Sequence, residues 1–136
     1  MIFIDTWVFV EFFSEGEKFK RVEKIINKIK SGKKTVTSTM VLTELKYIIA
    51  KRYGIRKSDE VIHQILTLPN IKILPVSMDV ALLAASLRIK YYHKEKRPLS
   101  YGDVINLATA LIANCKVFYS GDPDFKGIEE IKTIII

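Results

Sequence analysis

The stretch MIFIDTWVFVEFF, residues 1–13, contains the pattern on which the fold prediction rests. Residues 2–4 form a short apolar run that predicts a buried strand, and residues 6–13 predict a helix that follows at once. One charged residue, Asp5, stands at the junction. An unpaired carboxylate in an apolar interior is costly unless it takes up a proton. Asp5 is therefore either the N-cap of the helix or part of a site that needs negative charge.

Strand and helix patterns alternate along the rest of the chain. Further strands are predicted at residues 35–38, 71–76, 116–120 and 131–136, and helices at residues 15–31, 39–52, 57–68, 77–93 and 100–113. In the helix at residues 57–68, Ser58 or Asp59 is the predicted start. Such alternation is typical of βαβ units that build a largely parallel sheet with helices on both faces. We predict a three-layer α/β/α fold with a central, mostly parallel sheet, as one domain spanning residues 1–136.

The composition excludes several classes of protein. A chain of 136 residues with 49% hydrophobic and 27% charged residues is ordinary globular material. The single cysteine, Cys115, precludes an internal disulfide and favours a reducing cytoplasm. Neither a signal peptide nor a membrane span is expected, because Asp5 interrupts the first apolar stretch and no long apolar run follows. The net charge of +7 fits a polyanionic partner such as nucleic acid, and equally a basic surface typical of thermophiles.

Acidic residues fall where ligands bind in open α/β sheets, beyond the carboxyl ends of the strands. Asp5 follows the first predicted strand, and Asp122 and Asp124 follow the strand at residues 116–120. Glu44 borders the apolar face of its helix, and Asp103 lies in the first turn of another. Clustered carboxylates repel one another and need a cation. Because these are hard oxygen ligands without a Cys/His cluster, Mg²⁺ or Mn²⁺ is expected rather than Zn²⁺.

Each acid also has an ordinary structural explanation. Asp5 can cap a helix, and Asp103 stands at the capping-box spacing from a preceding serine. Glu44 can be a partly exposed helix residue. Asp122 and Asp124 flank a proline, as turn residues do. The interpretation as a site therefore depends on whether the fold brings the acids together.

Four stretches, in order along the whole chain, resemble the motifs of PIN-domain nucleases, and most closely the VapC-type toxins of prokaryotic toxin–antitoxin pairs. They are Asp5-Thr6 after the first strand, Glu44 in TELKY, Asp103 in LSYGDVINLATA, and YSGDPDF at residues 119–125. The third and fourth motifs are the most specific. The resemblance implies a metal-dependent ribonuclease that hydrolyses RNA phosphodiester bonds. It also implies that Asp5, Glu44, Asp103 and Asp122 line a pocket holding one or two divalent ions, Mg²⁺ or Mn²⁺.

The resemblance extends to further positions. Asp124 matches an additional acid of the fourth motif, and Thr6 and Ser120 match polar positions that shape the pocket. Two residues depart from the usual pattern: Trp7 stands where a small polar residue is common, and Ser120 replaces a threonine. Neither departure removes an acid.

The predicted partners are RNA, a cognate antitoxin and a second copy of the chain, the last two implied by the resemblance. An acidic pocket repels RNA, so cations must surround it, and Lys46, Arg52 and Arg97 are candidate phosphate contacts. They could equally belong to solvated helix faces. The aromatic residues that could form a dimer or antitoxin surface, or simply pack in the core, are Phe12, Phe13, Phe19, Tyr47 and Tyr53.

Two other protein classes with acids at strand ends do not fit. A receiver-type phosphoacceptor domain needs an acidic pair after the first strand, where this chain has only Asp5. A haloacid-dehalogenase-type phosphatase needs Asp-x-Asp, and Trp7 occupies the second acidic position. Within the resemblance, a housekeeping RNA-processing nuclease and a non-cleaving module that binds RNA or protein remain alternatives to a toxin.

Overall fold

A computed structural model describes all 136 residues. The strands are β1 (Ile2–Ile4), β2 (Thr35–Ser38), β3 (Ile71–Leu74), β4 (Val117–Ser120) and β5 (Lys132–Ile135). The helices are α1 (Thr6–Phe13), α2 (Phe19–Lys30), α3 (Thr39–Tyr53), α4 (Ile55–Thr67), α5 (Met78–Tyr91) and α6 (Tyr101–Ile112), and a short 3₁₀ turn covers Pro123–Phe125.

The five strands form one sheet in the order β3-β2-β1-β4-β5, and every neighbouring pair is parallel. The chain builds outward from β1 to β2 and β3, then crosses to the other side of β1 to add β4 and β5. The strand order therefore reverses between β1 and β4, and such a switch point opens a crevice at the carboxyl ends of the strands. The predicted α/β fold with a central parallel sheet flanked by helices is confirmed.

The centre of the sheet is the core of the molecule. All three residues of β1 are buried, and so are Val8 and Phe9 of α1. Phe3 of β1 pairs in register with Phe118 of β4, and their rings stack with centroids 5.1 Å apart. Because β1 is held on both sides and on both faces, the residue that follows it is rigidly placed. None of the helices is both long and apolar enough to cross a bilayer.

Two helices begin at residues other than those predicted. The helix α2 begins at Phe19, because Glu15 adopts a left-handed backbone conformation (φ 49°) that a helix does not continue. The helix α4 begins at Ile55, directly after Gly54 (φ 92°), so the predicted start at Ser58 or Asp59 is wrong. Ser58 is buried and donates to the Ile55 carbonyl instead of capping.

Candidate active site

The acidic residues singled out in the sequence meet at the carboxyl edge of the sheet. The ends of β1 and β4 bring Asp5 and Asp122 to this edge, and Glu44 of α3 and Asp103 in the first turn of α6 reach the same place. One pocket opens there, lined by Asp5, Thr6, Trp7, Val10, Glu44, Ile48, Arg52, Asp103 and Asp122. Four carboxyl groups, supplied from four separate parts of the chain, therefore share one pocket.

Asp5 is held by side chains from the far end of the chain. It occupies the N-cap position of α1, yet its carboxylate makes no capping hydrogen bond. Instead, Oδ1 accepts from the Asn106 amide at 3.1 Å and Oδ2 accepts from the Ser120 hydroxyl at 2.7 Å. The side chain is 5% exposed. The interpretation of Asp5 as a helix cap is therefore wrong for its side chain.

The surroundings of Asp5 favour its neutral form. Burial raises the pKa of Asp5 from 3.8 to about 7; the Ser120 hydrogen bond opposes this rise, and the charges of Asp103 and Glu44 add to it. No cationic side chain is among the groups that shift the pKa of Asp5. A buried carboxylate that receives only neutral donors and faces other acids is stabilised in its charged form by a nearby cation.

Asn106 connects three elements of the site and was missed in the sequence. Its fully buried amide donates to Asp5 and to Glu44 Oε1 (3.2 Å), and its Oδ1 accepts from Ser38 Oγ at 2.6 Å. The Ser38 hydroxyl in turn accepts from the Val41 amide and caps α3. A sequence signal existed: Asn106 lies one helical turn after Asp103, as a polar residue within an apolar run.

Glu44 is fixed from two directions. Its Oε1 accepts from the Thr6 hydroxyl at 2.8 Å as well as from Asn106. Its Oε2 lies beside Gly102, where an added Cβ would come within 3.0 Å of it. Thr6 and Glu44 are thus joined by a hydrogen bond in the lining of the pocket.

Asp103 combines the two interpretations that the sequence left open. With Ser100 it forms a complete capping box: its carboxylate accepts from the Ser100 amide at 2.8 Å, and its own amide donates to Ser100 Oγ at 3.1 Å. The same carboxyl group lines the pocket. Burial raises the pKa of Asp103; the Ser100 hydrogen bonds oppose this, and the nearby Asp122 and Glu44 reinforce it.

The turn after β4 separates its two acids. The Asp122 amide donates to Ser120 Oγ at 3.1 Å, and Asp122 Oδ1 accepts from the Asp124 amide at 2.9 Å. Asp122 lines the pocket, whereas Asp124 does not. Burial and the charge of Asp122 raise the pKa of Asp124, and Arg97 opposes the rise. Ser120 is fully buried and orients both Asp5 and the turn.

The three predicted phosphate contacts lie in different surroundings. Arg52 lines the pocket, two helical turns along α3 from Glu44. Lys46 forms an exposed ion pair with Asp59 at 3.3 Å. Arg97 donates to the Lys126 carbonyl at 2.6 Å. Of the three, only Arg52 lines the pocket.

Comparison with known proteins identifies the family of the chain. Residues 2–131 match the family model of the PIN domain. The chain belongs to the PIN domain family. A search of curated proteins by sequence found no match.

Solved structures share the fold of this PIN domain over nearly the whole chain. VapBC2 from Rickettsia felis, bound to a DNA fragment from the promoter, superimposes with a TM-score of 0.78 at 16% identity, covering 99% of this chain and 98% of that one. VapC20 of Mycobacterium tuberculosis, a sarcin-ricin loop cleaving toxin, gives 0.77 at 20% identity, covering 96% and 98%. FitAcB from Neisseria gonorrhoeae gives 0.72 at 20% identity, covering 98% and 96%. At these identities the similarity establishes the fold.

The donor set of this PIN domain suits a hard divalent cation. All the candidate ligands in the pocket are oxygen atoms, and no Cys or His lines it. No three His, Cys, Asp or Glu side chains converge closely enough to hold an ion by themselves. Mg²⁺ commonly binds through one or two carboxylates and keeps several waters. The pocket therefore fits a partly hydrated Mg²⁺ or Mn²⁺ better than a fully protein-ligated Zn²⁺.

Proposed function

We propose that this PIN domain is a ribonuclease that hydrolyses RNA phosphodiester bonds with a divalent cation, Mg²⁺ or Mn²⁺, and acts as the toxin of a toxin–antitoxin pair. The observation that carries the proposal is the single pocket shared by Asp5, Glu44, Asp103 and Asp122. Family membership makes nuclease chemistry the expectation, and the all-oxygen donor set supports it. The free thiol of Cys115 suits a cytoplasmic location.

The side chains divide into ligands and the groups that position them. Asp5 and Asp103 would hold the cation directly, and Glu44 and Asp122 would hold it through water, or one of them would take a proton from the attacking water. A divalent cation supplies such sites with an activated water and with neutralisation of the phosphate charge. Asn106 and Ser120 fix the Asp5 carboxylate by one hydrogen bond to each oxygen. Such fixing keeps a ligand in place before the ion and substrate arrive.

Cleavage of RNA by the purified protein tests the proposal. Products should appear with Mg²⁺ or Mn²⁺, disappear with EDTA, and be absent for Asp5→Asn. Asp79→Asn is the matched control, because Asp79 is an exposed acid in the first turn of α5, outside the pocket. Cleavage that persists in EDTA or in Asp5→Asn would show that a different site, or a contaminant, cuts the RNA.

The proposed toxin role is supported by the partners present in structures that share this fold. Several are complexes of toxin with antitoxin, among them a Klebsiella pneumoniae complex and DNA-bound VapBC from Salmonella typhimurium. A short neighbouring gene that encodes a DNA-binding protein would agree with this role. Expression of the chain should arrest growth, and Asp5→Asn should relieve the arrest. Normal growth during wild-type expression would instead favour a housekeeping nuclease.

An apolar groove between α1, α2 and α4 is the surface we assign to the antitoxin. Phe12 and Phe13 border it together with Ile26 and Leu68. Of the aromatic residues considered in the sequence, Phe12 and Phe13 pack edge to face there, whereas Tyr47 is 65% exposed on α3. Lys30 at the groove suits an apolar segment that carries acidic residues. Charge reversal at Lys30 should weaken antitoxin binding without affecting RNA cleavage.

A homodimer is supported by α5. Its exposed side carries Met78, Leu82, Ala85 and Ile89, and Tyr92 follows directly after its end, so these residues are spaced four and three apart in turn. This is the heptad spacing of a helix seam that packs on a second helix, and one stripe can pair with its own copy about a twofold axis. Ile89 is 86% exposed. Ile89→Glu should give a monomer in analytical ultracentrifugation, whereas Ile55→Glu, at an exposed apolar residue of α4, should leave the dimer intact.

A further inference from the structure

Trp7 stands beside the acids in an orientation set by a glycine. It lies in the first turn of α1, two residues after Asp5, and lines the pocket while remaining half-buried. A Cβ added to Gly121 would fall 2.1, 2.3 and 2.4 Å from Cδ2, Cε2 and Cε3 of the indole. These atoms surround the shared edge of the two rings, so the indole packs directly against the Gly121 backbone. The turn after β4 thus fixes the ring next to the acidic pocket.

The indole N–H of Trp7 has no partner within the chain. None of the side-chain hydrogen bonds involves it, and Ser14 Oγ is the only buried side-chain polar atom that lacks a partner. The N–H group is therefore accessible to solvent. It is therefore free to donate to water or to a ligand in the pocket.

The wall of the pocket around Trp7 is apolar and ends in a cation. Val10 lies one turn after Trp7 on α1, and both line the pocket. On α3, Glu44, Ile48 and Arg52 line it at intervals of four residues, so an acid, an apolar residue and a cation follow one another along one helix face. The acids and Arg52 suit a cation and a phosphate, neither of which gains from an apolar wall. A nucleobase, by contrast, can pack against that apolar wall.

We propose that Trp7 is the stacking platform for an unpaired base of the RNA next to the bond that is cut. Val10 and Ile48 flank that base, and Arg52 contacts a neighbouring phosphate. This assignment rests on the proposed ribonuclease function and adds to it a contact at Trp7 that holds one unpaired base of the RNA in the pocket. Stacking on an aromatic side chain accepts any base, because every base has a flat face.

The fluorescence of Trp7 tests the contact without cleavage, because Trp7 is the only tryptophan of the chain. The Asp5→Asn protein is titrated in Mg²⁺ with a short single-stranded oligoribonucleotide carrying a fluorescent label, and with the same sugar-phosphate chain lacking bases. Saturable quenching by the first and none by the second is expected. Unchanged tryptophan emission where label anisotropy shows bound RNA, equal quenching by the abasic chain, or no binding at all would overturn the assignment.

Cleavage kinetics separate this assignment from the nuclease proposal. Trp7→Ser should raise KM for RNA about ten- to hundredfold and change kcat less, and Trp7→Phe should fall between it and the wild type. Tyr53→Ser, at an exposed aromatic residue outside the pocket, is the matched control. Quenching without cleavage by the wild type would refute the nuclease and retain the platform. Normal KM in a folded Trp7→Ser protein would refute the platform and retain the nuclease.

Discussion

The side-chain amide of Asn106 donates to Asp5 Oδ1 at 3.1 Å, joining two residues that are 101 positions apart. This contact ties the end of the first strand to the middle of α6. The same amide reaches Glu44 on α3. Three elements that carry acids of the pocket are therefore aligned by one neutral side chain, which adds no charge to a site already rich in carboxylates.

Replacing Asn106 by alanine should loosen the site and destabilise the fold. Asn106→Ala leaves buried oxygen atoms of Asp5 and the Ser38 hydroxyl without their partner, and each unsatisfied buried group costs about 1–3 kcal/mol. We expect the free energy of unfolding, measured by urea denaturation, to fall by an amount of this size, and RNA cleavage to be reduced. Asn27→Ala, at an exposed asparagine of α2, is the control. Equal stability of the two variants would contradict a positioning role for Asn106.

The metal-free protein should lose stability as the pH rises from about 4 to about 7. Folded Asp5 keeps its proton up to a pKa of about 7, whereas in the unfolded chain it loses the proton near 3.8. Between these values the folded state binds more protons, so the free energy of unfolding falls with rising pH. The full difference is on the order of 4 kcal/mol, and the raised pKa of Asp103 has the same sign.

The Asp5→Asn variant tests whether Asp5 is the group that makes stability depend on pH. Asn can still accept from Asn106 and can donate to Ser120 Oγ, so the fold should be kept and the slope of stability against pH should flatten. Denaturant titrations in EDTA at several pH values measure this. Asp79→Asn should retain the wild-type slope, since Asp79 is exposed. An unchanged slope in Asp5→Asn would place the titrating group elsewhere.

Divalent cations should reverse the destabilisation at neutral pH. A ligand that binds only the folded state adds about 2.7 kcal/mol when present at a hundred times its Kd. We expect Mn²⁺ or Mg²⁺ to raise Tm at pH 7 or above, and to do so less at pH 5, where Asp5 carries a proton that must leave before it can bind an ion. Differential scanning calorimetry with and without EDTA measures the effect. A shift of equal size in Asp5→Asn would argue against binding in this pocket.

Arg52 should account for a phosphate contact. Removing one such contact weakens binding similarly across RNA sequences and lowers the slope of log affinity against log salt by about one. We expect this result for Arg52→Ala, because Arg52 borders the pocket. Lys46→Ala serves as the control, since Lys46 pairs with Asp59. Similar slopes for the two variants would remove Arg52 from the RNA path.

The fold could be predicted because strand and helix periods are local properties of the sequence. The acids could be singled out because strand ends are predictable and parallel strands end at one edge. What the sequence does not contain is which side chains meet across the sheet. Asn106 and Ser38 look like ordinary helix and strand-end residues until the packing of α6 against β2 brings them together. The packing of Trp7 against Gly121 likewise depends on β1 and β4 being neighbours.

The capping box of α6 affects which substitution is best used to inactivate the protein. The Asp103 carboxylate accepts from the Ser100 amide at the start of that helix, so its replacement weakens the capping box and removes a pocket carboxylate as well. The Asp5 side chain makes no capping hydrogen bond, and replacing it with a neutral residue removes a buried charge. A form that cells tolerate, and that can be produced in quantity and crystallised with uncut RNA, is therefore better made at the end of β1 than at the start of α6.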